Sequence, residues 1–334
     1  MIARPKRFGV AALIGVLTAF SLPPWGWWLL TPIGLAAGWW WIGHSTESAA
    51  GSWRFWKSAR FWTAWWFFAG FYLVALVWMI DLTIPGWFVS IPVEAGIMAF
   101  PLALVGDRKP ATRLPAALVL GEAIRWVVPF GGVPMANLAL GQVGAPWMPM
   151  VRISGALTLI WMLGVVAATL CAATQRKWAT TGVGASLMLV AAILTSLAPT
   201  GETERFIDAA VVQAGGELGT NATNDTQRSV FERHVDAMSL LDTPVDLIVW
   251  SESSANSRKP LETSNQLSDI EELANEHDAV IVANFSERDG EFFRNAAVAV
   301  APDIGLTGRY DKVHLVPFGE YVPLRSFIDR LADL

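Results

Sequence analysis

Between residues 8 and 198 the chain returns seven times to a long apolar stretch: 8–22, 25–43, 61–80, 87–106, 114–130, 151–173 and 181–198. A helix that crosses a bilayer needs about 20 mostly apolar residues, and a water-soluble domain has no use for so many in succession. The first stretch is short, and its join to the second through Leu22, Pro23, Pro24 and Trp25 reads as a tight turn or a kink. The count is therefore seven crossings, or six if that join is a kink. Composition agrees: 53% of residues are hydrophobic and 16% charged, against about 45–50% and about 25% in a soluble domain. Most of the 18 Trp precede residue 180, which suits rings that sit at the headgroup level.

Charge in the connections orients the stretches. With the N-terminus inside, the inner connections carry Arg4, Lys6 and Arg7, then Arg54, Lys57 and Arg60, then Arg108, Lys109 and Arg113, then Arg176 and Lys177. The outer connections 23–24, 81–86 and 131–150 carry no Lys or Arg. Seven crossings give this alternation, which is the positive-inside pattern, and place residues from 199 onward outside the cytoplasm. A cleaved signal peptide is the rival reading of the N-terminus, but no small-x-small site ends the first apolar run and another follows at once.

Charges are sparse before residue 200 and dense after it, so the net charge of −5 averages two materials and says little about partners. The single cysteine, Cys171, excludes an internal disulfide framework. By the topology above it lies near the cytoplasmic end of its helix and reads as a buried structural residue. His44, His234, His277 and His314 are scattered without ligand spacing, so neither a metal nor another cofactor is expected. No basic patch interleaved with aromatics appears in the polar half, which argues against nucleic acid.

Two charges interrupt the fifth stretch. Glu122 and Arg125 are three residues apart, on one helix face where they can pair. Charge at membrane depth faces a partner or a wet cavity. The pair is either a structural bridge between helices or the polar lining of a cavity open to the outer leaflet. Residues 129–150 that follow are uncharged, apolar and rich in Gly and Pro, as expected of an outer loop that dips into the interface.

After residue 203 the pattern changes. Strands are expected at 207–212, 245–250, 279–285 and 292–300, the last followed by a turn at 301–305, and helices at 224–241 and 267–276, with a further helix candidate at 325–334. Strand, helix, strand, helix, strand is the order of an α/β layer joined by helical crossovers. Four or five strands in such a piece leave an edge and part of a core unfilled, so the chain is expected to be cut short.

Glu252 directly follows the 245–250 strand, and in open α/β sheets the carboxyl ends of strands reach the ligand crevice. Beside Trp250 its carboxylate is expected to be partly desolvated, as suits a general base working near neutrality. The alternative is an ordinary strand-end carboxylate in solvent. A second cluster, Gly308 to Pro323, brings Lys312, His314 and Glu320 together with two prolines and a glycine. A lysine held there beside carboxylates could stabilise an oxyanion; otherwise it is a salt-bridged surface loop.

The run Tyr310-Asp-Lys-Val-His-Leu-Val-Pro-Phe-Gly-Glu-Tyr-Val-Pro323, with Val249-Trp-Ser-Glu252 and a multi-spanning first half, closely resembles the bacterial apolipoprotein N-acyltransferases. These are a membrane family of the nitrilase (carbon–nitrogen hydrolase) superfamily. The likeness covers essentially the whole chain, with Ser251 where the family usually has Pro. It implies a polytopic α-helical membrane domain over 1–200, followed over 201–334 by the N-terminal, incomplete part of an extracytoplasmic α/β domain of the nitrilase α-β-β-α type. By position Glu252 matches the general base, Lys312 the lysine that steadies the tetrahedral intermediate, and Glu320 a second active-site glutamate. Arg294-Asn295 matches the Tyr-Asn element before that lysine, Val211-Val-Gln213 the end of the first nitrilase strand, and Glu122 with Arg125 a membrane motif. The implied reaction moves an acyl chain from a phospholipid, through a cysteine thioester, to the amine of a diacylglyceryl-modified lipoprotein. The implied protein is a monomer in the bacterial plasma membrane with its N-terminus in the cytoplasm. The nucleophilic cysteine belongs after the lysine, where this sequence has none, so these 334 residues alone are expected to be inactive. The rival readings are a non-enzymatic membrane protein whose outer domain binds lipid or a partner, and a membrane-attached amidase.

Overall fold

The structure, a computed structural model, describes residues 4–43, 56, 58–81, 83–105, 110–215, 224–257, 260–289, 292–315 and 325. The chain divides into two compact units, residues 1–201 and 202–334.

The first unit is helical: α1 (Arg4–Ala19), α2 (Leu30–Gly43), α3 (Ala59–Ala75), α4 (Ile84–Leu104), α5 (Pro110–Arg125), the single turn α6 (Val151–Ser154), α7 (Ala156–Thr174) and α8 (Trp178–Leu197). A helix lies in each of the seven apolar stretches, but most are shorter than the stretch that suggested them. The chain leaves α5 at Arg125 because Val128 precedes Pro129, and a residue before proline avoids the helical region. After α3 it tightens into a 3-10 turn over Val77–Asp81. The join after α1 is a ten-residue passage from Phe20 to Leu29, longer than a two-proline turn, closed by Gly26 N–H on Leu22 O and Trp27 N–H on Phe20 O. Among the described residues, three helices are by length and composition long and apolar enough to cross a membrane: Ile84–Leu104, Ala156–Thr174 and Trp178–Leu197.

Neighbouring helices close a ring in the order α1, α3, α4, α5, α7, α2, with α8 against the outside of α7. The interior is filled by Phe67, Phe68, Phe71 and Tyr72 of α3, Met98 and Leu102 of α4, Leu118 of α5 and Leu163 of α7. The outer surface is apolar too, with Leu13, Ile33, Trp66, Val89 and Leu189 all exposed. A helix that is apolar all round is suited to a membrane or a deep core.

The second unit is a mixed sheet. Its elements are β1 (Ala209–Val212), α9 (Asn224–Met238), β2 (Leu247–Trp250), β3 (Ala255–Ser257), α10 (Asn265–His277), β4 (Val280–Asp289), β5 (Phe292–Ala301) and β6 (Gly305–Asp311). Among the described residues the strand order is β1-β2-β4-β5-β6, with β3 also paired to β4. The helical crossovers expected from the sequence hold for β1, β2 and β4, which are parallel. The pattern then changes: β4, β5 and β6 are antiparallel and joined by hairpins. β3 is only three residues long, and β6 carries two glycines and alternates poorly, so neither gave a strand signal. Both helices join one core with the sheet, through Phe231 and Met238 of α9, Ile270 and Leu273 of α10, and Ile248, Trp250, Ile281 and Val298 of the strands. The helix candidate at 325–334 falls outside the described residues apart from Arg325.

The backbones of α1 and α3 approach closely. A Cβ on Gly15 would collide with the carbonyl of Phe67, and one on Gly70 with the carbonyl of Ala12. Small residues at such crossings let helix backbones meet. Gly70→Val is therefore expected to lower stability in detergent by about 1–3 kcal/mol, read as a fall in thermal midpoint. A midpoint unchanged within error contradicts this packing.

Candidate functional site

The sheet edge beside β4 is shared by two short strands. β2 pairs with residues 280–282 and β3 with residues 285–287, and the chain between them, Ser251 to Ser254, turns out of the ladder opposite Asn284. Asn284 fills the break. Its Oδ1 accepts the Ser253 N–H at 2.6 Å, its N–H donates to Ser254 Oγ at 3.1 Å, and its carbonyl accepts the Ser254 hydroxyl at 3.2 Å. Ser253 takes a left-handed φ of 61° there, uncommon for a residue with a Cβ and held by its surroundings. The turn pushes the Glu252 side chain off the strand end.

Glu252 meets two groups from the other hairpin. Lys312 Nζ lies 3.0 Å and Asn295 Nδ2 3.4 Å from Glu252 Oε1. Asn295, on β5, is buried and accepts from Asn284 Nδ2 at 2.6 Å, so one amide links the break to the carboxylate. Lys312 follows β6 directly, and its N–H donates to the Asn295 carbonyl at 2.7 Å. Just before it, Arg309 binds Asp311 and Glu287, and that hydrogen bond holds the Asp311 carboxyl below the usual range. Both contacts to Glu252 fall on Oε1, and Oε2 takes no hydrogen bond among the described residues. That oxygen is available to a proton.

The desolvation expected of Glu252 is absent, since its side chain is 66% exposed. Trp250 is buried in the core instead, its indole N–H on Met238 Sδ at 3.4 Å. The groups in contact with the carboxylate are thus the lysine and the amide rather than an apolar neighbour. Glu320 falls outside the described residues.

Sequence reasoning passed over His234 and Ser251. The His234 ring is fully buried on α9 at 5.2 Å from Trp250, with Nδ1 at 2.8 Å from the Val230 carbonyl and Nε2 at 3.0 Å from Ser251 Oγ. Burial, chiefly, holds its imidazole below the ordinary range. No ligand or nucleophile spacing marked it, because its partner is 17 residues away.

Glu122 and Arg125 belong to the first unit and pair as their spacing suggests, Nη1 to Oε2 at 2.6 Å. The third partner was missed: Glu94 on α4 accepts from Arg125 Nε at 2.6 Å. Arg125 Nη2 donates to the carbonyls of Val133 and Met135, and Glu122 Oε1 accepts the Leu138 N–H at 3.0 Å. Arg125 also lies 4.6 Å from the centre of the Tyr72 ring. Both residues are 0% exposed, so they are enclosed rather than open to a cavity, and they tie α4, α5 and the 126–150 segment together. Cys171 is buried in α7.

Residues 14–170 match the family model described as "Apolipoprotein N-acyltransferase N-terminal domain", and residues 208–331 match "Carbon-nitrogen hydrolase". Curated relatives carry the name apolipoprotein N-acyltransferase. The one from Vibrio vulnificus is 25% identical over 236 residues, 65% of this chain and 44% of its own length. The one from Shewanella oneidensis is 24% identical over 98% of this chain and 67% of its own length. That from Geobacter metallireducens is 40% identical over 92 residues, 25% of this chain and 17% of its own. The stretches matched in the Vibrio vulnificus and Methylococcus capsulatus relatives span under half of those proteins, 44% of each.

Two outcomes follow from this geometry. Glu122→Ala leaves Arg125 short of a buried carboxylate and is expected to destabilise the first unit by about 3–5 kcal/mol; a loss under about 1 kcal/mol in denaturant or thermal unfolding contradicts the enclosed cluster. For His234 the unfolded imidazole takes a proton near pH 6.5, about its unperturbed value, whereas the folded one resists until a lower pH. Between those values the unfolded state holds more protons, so acidification favours unfolding. The thermal midpoint is expected to fall on going from about pH 7.5 to 5.5, and His234→Gln to shrink that fall. An equal fall in the variant contradicts the assignment.

Proposed function

The chain belongs to the apolipoprotein N-acyltransferase family of the carbon–nitrogen hydrolase superfamily, and on that premise we propose that it moves a fatty acyl chain from a phospholipid to the N-terminal amine of diacylglyceryl-modified lipoproteins. The observation that carries the reading is one carboxylate, Glu252, with Lys312 3.0 Å from one oxygen and the other oxygen without a hydrogen bond among the described residues.

Glu252 Oε2 takes the proton of a cysteine thiol as the sulfur attacks the ester carbonyl of the phospholipid. The carbonyl oxygen gathers negative charge, which the Lys312 ammonium offsets. Collapse breaks the ester C–O bond, and the departing glycerol oxygen of the lysophospholipid receives the proton from Glu252. In the second half the free α-amine of the lipoprotein attacks the thioester carbon and passes its proton to Glu252, and the thiolate leaves and is reprotonated. A thioester is reactive enough to form an amide without ATP. The resemblance puts the thiol after Lys312. The one cysteine of these 334 residues is Cys171, in the first unit, so this chemistry is proposed for a chain that carries the later cysteine.

The setting proposed with it is the bacterial plasma membrane, with an inner N-terminus and the sheet-bearing unit on the outer side. Support comes from the one-sided distribution of Lys and Arg in the helix connections and from helices suited to crossing. Both substrates keep their acyl chains in the outer leaflet and present the reacting atoms at its surface.

In a chain of the relatives' length, incubation with phospholipid is expected to add one acyl chain to the protein, seen by intact-mass spectrometry. Glu252→Gln and Lys312→Ala should each slow that addition by about 10²-fold or more. Acylation of either variant at the parent rate would sink the proposal.

A further inference from the structure

Glu252 is held from two sides, and only one is accounted for by Asn284. On the other, Ser251 continues the β1–β2 ladder, its N–H donating to Val212 O at 3.2 Å, while its hydroxyl leaves the sheet for α9. There it meets His234 Nε2 at 3.0 Å. A carbonyl only accepts, so the 2.8 Å contact of Nδ1 with Val230 O puts the ring proton on Nδ1 and leaves Nε2 a bare acceptor. The Ser251 hydroxyl therefore donates to it, and the Ala214 N–H, just beyond β1, approaches the same nitrogen at 3.4 Å. The ring has nowhere to swing: it is fully buried against Trp250, which Phe231 and Met238 hold in turn.

We propose that Ser251 and His234 form a latch that positions Glu252 for proton transfer, by fixing the residue before it to α9 and to the end of β1. Ser251 and His234 are positioning residues and touch no substrate. The latch rests on the acyl-transfer reading of Glu252, and in this form, with the Ser251 hydroxyl and the Ala214 N–H both directed at Nε2, it requires a neutral imidazole. A second proton on Nε2 would reverse the Ser251 bond, so that the ring donates and the hydroxyl accepts, and would leave the Ala214 N–H facing a donor.

The surroundings oppose that proton. On its own helix His234 is flanked by Glu232 and Arg233, and the Arg233 guanidinium donates to the carbonyls of Ala214 and Gly215 beside the ring. The facing strands, Ala209–Val212, Leu247–Trp250 and Ala255–Ser257, carry no charged side chain. Glu252, one residue beyond Ser251, is engaged by Lys312.

The test uses a chain of the relatives' length in nanodiscs and reads the rate constant and KM of acyl-enzyme formation from pH 5 to 8, at temperatures where each variant is folded. Ser251→Ala is expected to lower the rate constant about ten-fold, with KM unchanged within about two-fold, and Ser251→Thr, which keeps the hydroxyl, to restore most of it. His234→Gln offers an acceptor that does not titrate, so it should keep a measurable rate and lose the part of the acid limb that belongs to the imidazole. If Ser251→Ala and His234→Gln change only the melting temperature, leaving the rate constant and pH profile as in the parent, the latch is merely structural and the proposal fails. If no variant and not the parent is acylated, the acyl-transfer reading fails instead. The latch is then judged by the nitrogen-15 shifts of His234 at pH 7. An Nδ1–H neutral ring that responds to Ser251→Ala supports it, and an Nε2–H or doubly protonated ring overturns it.

Discussion

A carboxylate placed past the end of a β-strand has lost the ladder that would orient it, and the second unit is organised around replacing that ladder. The break between β2 and β3 is stabilised by one residue, Asn284, whose side-chain oxygen accepts the Ser253 N–H and whose backbone N–H and carbonyl both engage the Ser254 hydroxyl. The same amide reaches across to Asn295 on β5, and Asn295 and Lys312 converge on Glu252. Because β4 and β5 are antiparallel, Asn284 and Asn295 sit at nearby rungs of one hairpin. Lys312 is delivered by the next hairpin through its backbone bond to Asn295. The antiparallel half of the sheet is thus what brings lysine and amide to a glutamate that belongs to the parallel half.

The helical unit solves a related problem with a buried charge. Arg125 donates to two carboxylates and two carbonyls. A guanidinium out of water is tolerated only when it is paired and its donors are used. Its partners come from α4, α5 and the 126–150 segment, so an apolar, Gly- and Pro-rich passage acquires a fixed path without charges of its own. Gln142 adds a further tie, donating to Trp28 O at 3.2 Å and accepting from the Trp147 indole at 2.9 Å.

How much of this was legible in the sequence depended on range. Apolar runs and helical spacing act locally, so the helices and the Glu122–Arg125 pair could be read directly, as could the strand that ends beside Glu252. Span ends were read too long because hydropathy does not feel the Val128–Pro129 break or the 3-10 turn after α3. Contacts between distant residues left no local trace. Glu94 is 31 residues from Arg125 and Asn284 is 31 from Ser253, and nothing in their neighbours' spacing announces the pairing. Asn295 came from family resemblance rather than from pattern, whereas for Lys312 the loop pattern offered an oxyanion role beside a salt-bridged surface and the resemblance chose between them. The exposure of Glu252 was misjudged because adjacency to Trp250 in sequence is not adjacency in space: the indole turns into the core and the carboxylate away from it.

The central claim is that Glu252 and Lys312 act as one unit rather than as two independent charges. A double-mutant cycle on acyl transfer measures this most directly, comparing Glu252→Gln, Lys312→Met and the double variant in a chain of the relatives' length. Groups that work as a unit are strongly non-additive, so the double variant should lose little more rate than the worse of the two single variants. Losses that add in free energy would mean that the 3.0 Å contact between them has no part in the reaction.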